Sequence, residues 1–323
     1  MTAVQVTIHV GLSKAASTFL QESFFPAVKD ALFVHAPYTA VPEPNPIQRF
    51  VRALFTRNVA CLDLPRIRDE IAAFVQRSGH ARVLVSSEAL FGTPFENNAD
   101  FRRNTDVLAE VFEAPKIWFI VRRQDTWLES WYSQLLKMGL STSPARFTNY
   151  RAGAFGDHEL PVYAGPNLDV RDLDWSCYVQ HYRRTFGTSN LLVQAHEGLR
   201  VDPAEFLGRF CGFAGIAPFV PEPARSVNPS LSPVAAALAR AVNLLPAVLK
   251  QELRGLVPGT LHPARVLDRL LGPVLPERRL FPPALARAAL RLHHENNRQL
   301  AELIDEDLAP YGYYEALSPR ARG

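Results

Sequence analysis

The chain has 323 residues, of which 47% are hydrophobic and 21% charged, and its formal net charge at pH 7 is +3. This composition is typical of a globular protein with one large domain or a domain plus an appendage. Because the charge is small and the arginines are scattered, the sequence argues against nucleic acid or a membrane surface as a partner.

The three cysteines have no zinc-ligand spacing and are too few for a disulfide framework. We expect Cys61, Cys177 and Cys211 to be small buried apolar residues. The first predicted strand begins at residue 4 with no leader-like run before it, and no apolar run approaches the roughly 18 residues of a membrane span. These features predict a soluble cytoplasmic protein.

The first predicted unit is a strand, a short loop and a helix. Every second residue over 4–10 is apolar and β-branched, which predicts a strand. Gly11 and Ser13 end that strand, and apolar residues over 16–24 then recur at helical spacing.

The loop in this unit has the chemistry of an anion site. The helix start presents unpaired N–H groups and a positive dipole end, while Lys14, Ser17 and Thr18 add an ammonium and two hydroxyls, which favours a phosphate. The Walker pattern needs Gly-Lys-Ser/Thr, but here Lys14 lies three residues before Ser17 and follows no glycine. An ordinary ATP or GTP loop is not predicted, and a solvated lysine in a plain turn is the alternative.

The next elements extend a parallel sheet. Leu32–His35 is expected to be a short edge strand, and residues 67–75 form a helical stripe closed by Gly79. Residues 82–92 supply a buried strand, and Ser86, Ser87 and Glu88 lie where it ends. Because ligands of open parallel sheets bind at the carboxyl edge, Glu88 is a candidate site residue.

A second informative unit follows. Residues 117–121 form a continuous apolar run typical of a strand covered on both faces, and Arg122 follows directly. Asp125 is expected to cap a helix that ends at Gly139. Ser130 lies on that helix eight residues after Arg122, so their side chains are expected to converge on a second phosphate. The buried face of the helix is expected to carry Trp127, Trp131, Leu135 and Met138.

The rest of the chain turns helical. After Pro233, residues 235–245, 264–271 and 283–308 have helical character and are separated by prolines. We predict an α/β fold with a P-loop-like parallel sheet flanked by helices over residues 1–231. A helical C-terminal extension over 232–323 is expected to pack on this core, where it covers the acceptor or mediates homodimerisation.

The two units resemble the sulfotransferases that use 3′-phosphoadenosine 5′-phosphosulfate (PAPS). The resemblance rests on the lysine and Ser/Thr pair of the first loop and on the Arg-x7-Ser-x-Tyr pattern that begins at Arg122. It implies that the 5′-phosphosulfate is held by Ser13, Lys14, Ala15, Ala16, Ser17 and Thr18, and the 3′-phosphate by Arg122 and Ser130. Residues 174–187, 190–195 and 202–216 are more loosely similar to the later family core. Residues 224–233 and the Glu-Asn-Asn-Arg run at 295–298 look like bacterial members.

The loop departs from the usual family pattern at three positions. Ser13 stands in place of a proline, Ala15 in place of a hydroxyl residue and Ala16 in place of a glycine. Alanine keeps its N–H, but if the backbone at Ala16 is left-handed, its side chain adds strain of about 1 kcal/mol and weakens donor binding.

The resemblance implies sulfuryl transfer from PAPS to a hydroxyl or amine of a carbohydrate, lipid or small metabolite, with no metal. Lys14 is the candidate that stabilises the leaving group. Glu88 or a histidine is the candidate base, and a structural carboxylate is the alternative for Glu88. His9, inside the first strand, is expected to be a hydrogen-bonded core histidine. Residues 150–172 are the candidate acceptor segment.

Three other interpretations remain open at this stage. Arg225, Asn228 and Ser230 either close over the nucleotide or belong to a plain linker. A P-loop kinase that uses ATP and magnesium is disfavoured by the missing Gly-Lys-Ser/Thr. A non-catalytic nucleotide-binding protein on the same fold is motivated by Ala15 and Ala16.

Overall fold

The computed structural model describes residues 4–157, 168–221, 231–245 and 279–314. The predicted helix over 264–271 lies outside these ranges, as do Arg225, Asn228 and Ser230, and most of the 224–233 segment. Residues 158–167 of the candidate acceptor segment also lie outside them.

The strands form one parallel sheet and one small antiparallel hairpin. They are β1 (Gln5–His9), β2 (Leu32–His35), β3 (Arg82–Ser86), β4 (Lys116–Val121), β5 (Tyr150–Arg151), β6 (Ala154–Phe155) and β7 (Leu191–Ala195). The sheet has five strands in the order β2-β3-β1-β4-β7, and β5 and β6 pair with each other. The predicted α/β fold and the edge position of β2 are both confirmed.

The helices flank this sheet. They are α1 (Ser17–Phe19), α2 (Pro46–Thr56), α3 (Leu64–Arg77), α4 (Phe101–Val111), α5 (Gln124–Met138), α6 (Pro144–Phe147), α7 (Trp175–Phe186), α8 (Gly198–Val201), α9 (Pro203–Ala214), α10 (Pro233–Leu244), α11 (Pro283–Leu292) and α12 (His294–Ile304). In the C-terminal part, α10 and α11 pack on α5, and α12 packs on α7.

Strand β4 lies inside the sheet, between β1 and β7. Ile117, Phe119 and Val121 are fully buried, and so are the two residues between them, which confirms the strand covered on both faces. Its carboxyl end lies beside those of β1 and β7, so the segments after these strands meet at one edge of the sheet.

The first helical segment is less regular than its apolar spacing predicts. A single α-helical turn at Ser17–Phe19 is followed by π-helical backbone over Leu20–Phe24 and a 3-10 turn over Phe25–Ala27. Pro26 lies in that last turn and has no N–H with which to continue a helical ladder. The C-terminal stripe over 283–308 is likewise divided, because α11 ends before His293 and α12 begins after it.

The prediction that Asp125 caps α5 is wrong. The helix begins at Gln124, and Asp125 lies in its first turn with only 1% of its side chain exposed. The carboxylate forms ion pairs with Arg123 at 2.7 Å and with Arg279 at 2.8 Å. A buried carboxylate needs such partners, and Arg279 comes from a remote part of the sequence.

Two other burial predictions are also corrected. Cys211 is buried as expected, but Cys61 and Cys177 are exposed. Met138 does not belong to the buried face of α5, since 58% of it is exposed at the last residue of the helix. Trp127, Trp131 and Leu135 are buried as predicted.

Candidate active site

The loop after β1 turns sharply through two residues with left-handed backbone. Lys14 and Ala16 both have a φ of 68°, a region that residues with a side chain rarely adopt. Gly11 precedes the turn, and a Cβ at that position would lie 3.1 Å from Oγ of Ser17 and 3.3 Å from Cα of Glu88. The glycine therefore allows the loop to lie directly against the segment that follows β3.

Side chains at the end of β4 and on α5 hold this loop by its carbonyl groups. The indole N–H of Trp127 donates to the carbonyl oxygen of Ser13 at 2.7 Å, and Nη1 of Arg122 donates to that of Lys14 at 2.5 Å. Trp127 is fully buried, so this hydrogen bond is shielded from water. The two contacts fix the loop relative to the carboxyl edge of the sheet.

Glu88 faces the same loop. It begins a short 3-10 turn after β3, and the hydroxyl of Ser13 lies 3.5 Å from its Oε2, at the outer limit of a hydrogen bond. Burial raises the pKa of the Glu88 carboxyl, while Ser17 and the positive charge of Lys14 partly oppose that rise. The Ser17 hydroxyl is close enough to act on this pKa, but it makes no hydrogen bond of normal geometry within the described part of the chain.

His9 lies in the core, as predicted. Its Nδ1 is 2.8 Å from Oγ of Ser86, which also accepts a hydrogen bond from Gln21, and its ring packs against those of Phe25 and Trp118. Burial lowers the pKa of His9 to about 3, so the ring is neutral at physiological pH.

Arg122 makes two hydrogen bonds at the end of β4, while its predicted convergence with Ser130 on a phosphate stays a prediction. The Nε of Arg122 donates to the hydroxyl of Thr126 at 3.2 Å, and its Nη1 donates to Lys14. Ser130 is nearly buried, one turn further along α5. Thr126, in the first turn of α5, is thus a neighbour of Arg122 that the sequence pattern did not single out.

A second polar cluster lies beside Arg122, after β7. Glu197 accepts hydrogen bonds from the backbone N–H of Arg123 at 3.2 Å and from the hydroxyl of Tyr313 at 3.0 Å. Burial lowers the pKa of His196 to about 3, and the charges of Arg122 and Arg200 contribute. The cluster depends on Tyr313, close to the C-terminus, which sequence reasoning did not connect to this edge.

A cavity of about 730 Å³ opens beside the loop and Glu88. Its polar wall includes Ser13, Lys14, Thr18 and Glu88, and its aromatic wall is made by Tyr38, Phe55, Phe95 and Trp131. Clefts of roughly 300–1,000 Å³ commonly hold small molecules. The described residues of the predicted acceptor segment, 150–157 and 168–172, lie outside this wall.

Across the described ranges, no three His, Cys, Asp or Glu side chains are grouped closely enough to hold a metal ion. In the same ranges, no helix has both the length and the apolar content that crossing a membrane requires.

Comparison with known proteins gives a structural likeness only. No protein-family model and no curated protein matches the chain. A sulfotransferase from Alicyclobacillus acidocaldarius superposes with a TM-score of 0.54 at 13% identity, over 96% of this chain and 99% of that one. The sulfotransferase domain of the Synechococcus PCC 7002 olefin synthase gives a TM-score of 0.42 at 17% identity, over 95% of each chain. The sulfotransferase domain of the curacin biosynthetic pathway gives a TM-score of 0.42 at 16% identity, over 95% of this chain and 99% of that one. The fold is therefore one that a sulfotransferase also has.

Proposed function

We propose that the protein is a transferase that moves a sulfuryl group from PAPS to a hydroxyl or amine of a small-molecule or glycan acceptor. One observation carries the proposal: Lys14 and the half-buried carboxyl of Glu88 line the same cavity at the carboxyl edge of the sheet. This arrangement supports the proposal, because Lys14 would be the cation for the leaving group and Glu88 the proton acceptor for the nucleophile around one space.

The loop fits the phosphate end of such a donor. The Ser17 hydroxyl is buried near Glu88 and makes no hydrogen bond of normal geometry within the described part of the chain, so it can bind an oxygen that enters the loop. Ser13, Lys14, Ala15, Ala16, Ser17 and Thr18 would hold the 5′-phosphosulfate. Arg122 and Ser130 would hold the 3′-phosphate, which requires Arg122 to exchange or share its contact with Thr126.

The donor supplies an activated sulfuryl group whose departure leaves charge on a phosphate oxygen. The Lys14 ammonium stabilises that charge. Glu88 takes the proton from the acceptor, and burial favours this step because it raises the proton affinity of the carboxylate. In-line placement of the acceptor against the loop supplies the rest of the rate enhancement.

Calorimetric binding tests the donor side. The protein is titrated with 3′-phosphoadenosine 5′-phosphate (PAP), ADP and ATP, with and without magnesium. We expect the protein to prefer PAP, with or without metal. Lys14→Ala is expected to lose PAPS-dependent turnover. Lys29→Ala, which changes an exposed lysine elsewhere, is the matched control and should keep it. Preference for ATP with magnesium would instead indicate a kinase.

A non-catalytic PAP-binding protein is the second candidate. The left-handed backbone at Ala16 favours it, because the side chain at that position adds strain to the loop that would hold the donor. PAP binding without transfer to any tested acceptor, unchanged in Lys14→Ala, would support this alternative.

A further inference from the structure

We propose that the acceptor is an uncharged, ring-containing alcohol, such as a phenol, whose apolar body occupies the cavity beside Glu88. The inference rests on the proposed function, since it assigns a chemical class to the acceptor of the same site. It is drawn from the walls of the cavity and from the charges they carry.

Two aromatic pairs form much of the wall. The rings of Tyr38 and Phe55 are 5.7 Å apart, and those of Phe95 and Trp131 are 5.2 Å apart in an edge-to-face arrangement. The two rings of each pair come from different segments of the chain, so a ring that enters the cavity meets aromatic surface on more than one segment. Aromatic surface of this kind favours a planar apolar ligand over a hydrated sugar.

The exposed apolar surface is concentrated at the same place. Tyr38 is 48% exposed, Phe95 38% and Met138 58%, and all three line the cavity. Exposed large apolar side chains that share one cavity indicate a binding surface, whereas scattered ones need no explanation. An apolar acceptor would cover this surface when it binds.

The charges of the wall disfavour an anionic acceptor. Three carboxylates, those of Glu88, Glu96 and Asp100, line the cavity together with Lys14 and Arg103. Arg103 is paired with Asp100 at 3.3 Å, and Lys14 is assigned to the donor. A sulfated or carboxylated acceptor would therefore meet negative charge at Glu96, an exposed carboxylate that forms no ion pair within the described residues.

The reaction balances without any further reagent. The acceptor oxygen forms a bond to sulfur while the bond between sulfur and the phosphate oxygen of the donor breaks, and its electron pair stays on that phosphate. The acceptor proton passes to Glu88 and then to solvent.

Matched ligands test the inference by calorimetry, with and without PAP. 2-Naphthol is the neutral probe, 6-hydroxy-2-naphthoate carries an added carboxylate, and fully N-acetylated chitohexaose, called chitohexaose here, is an uncharged sugar. We expect 2-naphthol to bind about tenfold or more tightly than either of the others. Equal or tighter binding of the naphthoate or of chitohexaose would overturn the inference.

Three variants locate the binding. Phe95→Ala is expected to weaken 2-naphthol binding about tenfold, whereas Leu292→Ala, an exposed apolar residue on α11, should leave it unchanged. Glu96→Lys should strengthen naphthoate binding relative to 2-naphthol. Unchanged 2-naphthol binding in Phe95→Ala would place the probe outside the cavity and contradict the proposal.

The titrations separate this inference from the proposed function. Binding of PAP together with a preference for chitohexaose leaves the donor assignment intact and rejects the neutral ring as acceptor. Binding of 2-naphthol at the Phe95 site without any PAP binding supports the ligand class of the cavity and rejects sulfuryl transfer.

Discussion

The indole N–H of Trp127 donates a 2.7 Å hydrogen bond to the carbonyl oxygen of Ser13, and this contact ties α5 to the loop after β1. Both residues are buried, so the carbonyl of Ser13 has little access to water if its donor is removed.

Trp127→Phe is therefore expected to lower the free energy of unfolding by about 1–3 kcal/mol, because it leaves a buried carbonyl unpaired. It should also weaken PAP binding, since the loop loses an anchor. Urea unfolding and calorimetry measure the two effects. Trp131→Phe is the control, because the Trp131 indole N–H has no hydrogen-bond partner within the described residues. Equal effects of the two changes would contradict the role of this hydrogen bond.

Ala16 provides a test of backbone strain in the loop. Its φ of 68° is a conformation that glycine adopts without cost. Ala16→Gly is expected to raise the free energy of unfolding by up to about 1 kcal/mol and to tighten PAP binding. Ala15→Gly, at a neighbouring position without positive φ, should instead destabilise the protein by about 0.4–1 kcal/mol. If both substitutions destabilise equally, the strain at Ala16 is absent in solution.

The raised pKa of Glu88 predicts two opposite pH effects. Because its pKa is higher in the folded than in the unfolded protein, folding retains a proton, and stability falls as the pH rises from the ordinary value of 4.5 through the folded pKa. Activity should rise over the same range, since the base must first lose its proton. Urea unfolding and kcat/KM measured from about pH 4 to about pH 8 follow both effects.

Glu88→Gln should remove both trends, with PAP binding retained and turnover strongly lowered. A variant with normal turnover would exclude Glu88 as the base. A pH–rate inflection at or below 4.5 in the original protein would show that burial does not shift this group.

Arg122 has two possible roles that nucleotide binding separates. If its guanidinium holds the 3′-phosphate, Arg122→Ala should lower PAP affinity about 10- to 100-fold and AMP affinity much less. Ser130→Ala should also lower PAP affinity more than AMP affinity, but by a smaller factor. If Arg122 only holds the carbonyl of Lys14, the affinities for PAP and for AMP should fall by the same factor in Arg122→Ala.

Thr126→Val is the control for that experiment. It removes the hydroxyl that accepts from Nε of Arg122 but keeps the guanidinium charge, so any change should be the same for PAP and AMP. A selective loss of PAP binding in Thr126→Val would assign the 3′-phosphate to Thr126.

Local sequence patterns determined the fold class of this protein. The apolar run of β4 and the period-two spacing of β1 identify buried strands, because burial on one or both faces constrains consecutive residues. The condition under which Ala16 would be strained was also readable, and the structure meets it with a φ of 68°. These features depend on neighbours in the chain, which a sequence shows directly.

Only the tertiary structure decided which side chains meet. The ion pair of Asp125 with Arg279, the hydrogen bond of Arg122 to the carbonyl of Lys14 and the aromatic cavity beside Glu88 join segments that are distant in sequence. The energy of such contacts depends on distances and burial set by the packing of the whole chain. No local periodicity encodes these distances, so most helix and strand positions were predictable while the pairing of Asp125 with Arg279 and the place of the aromatic cavity were not.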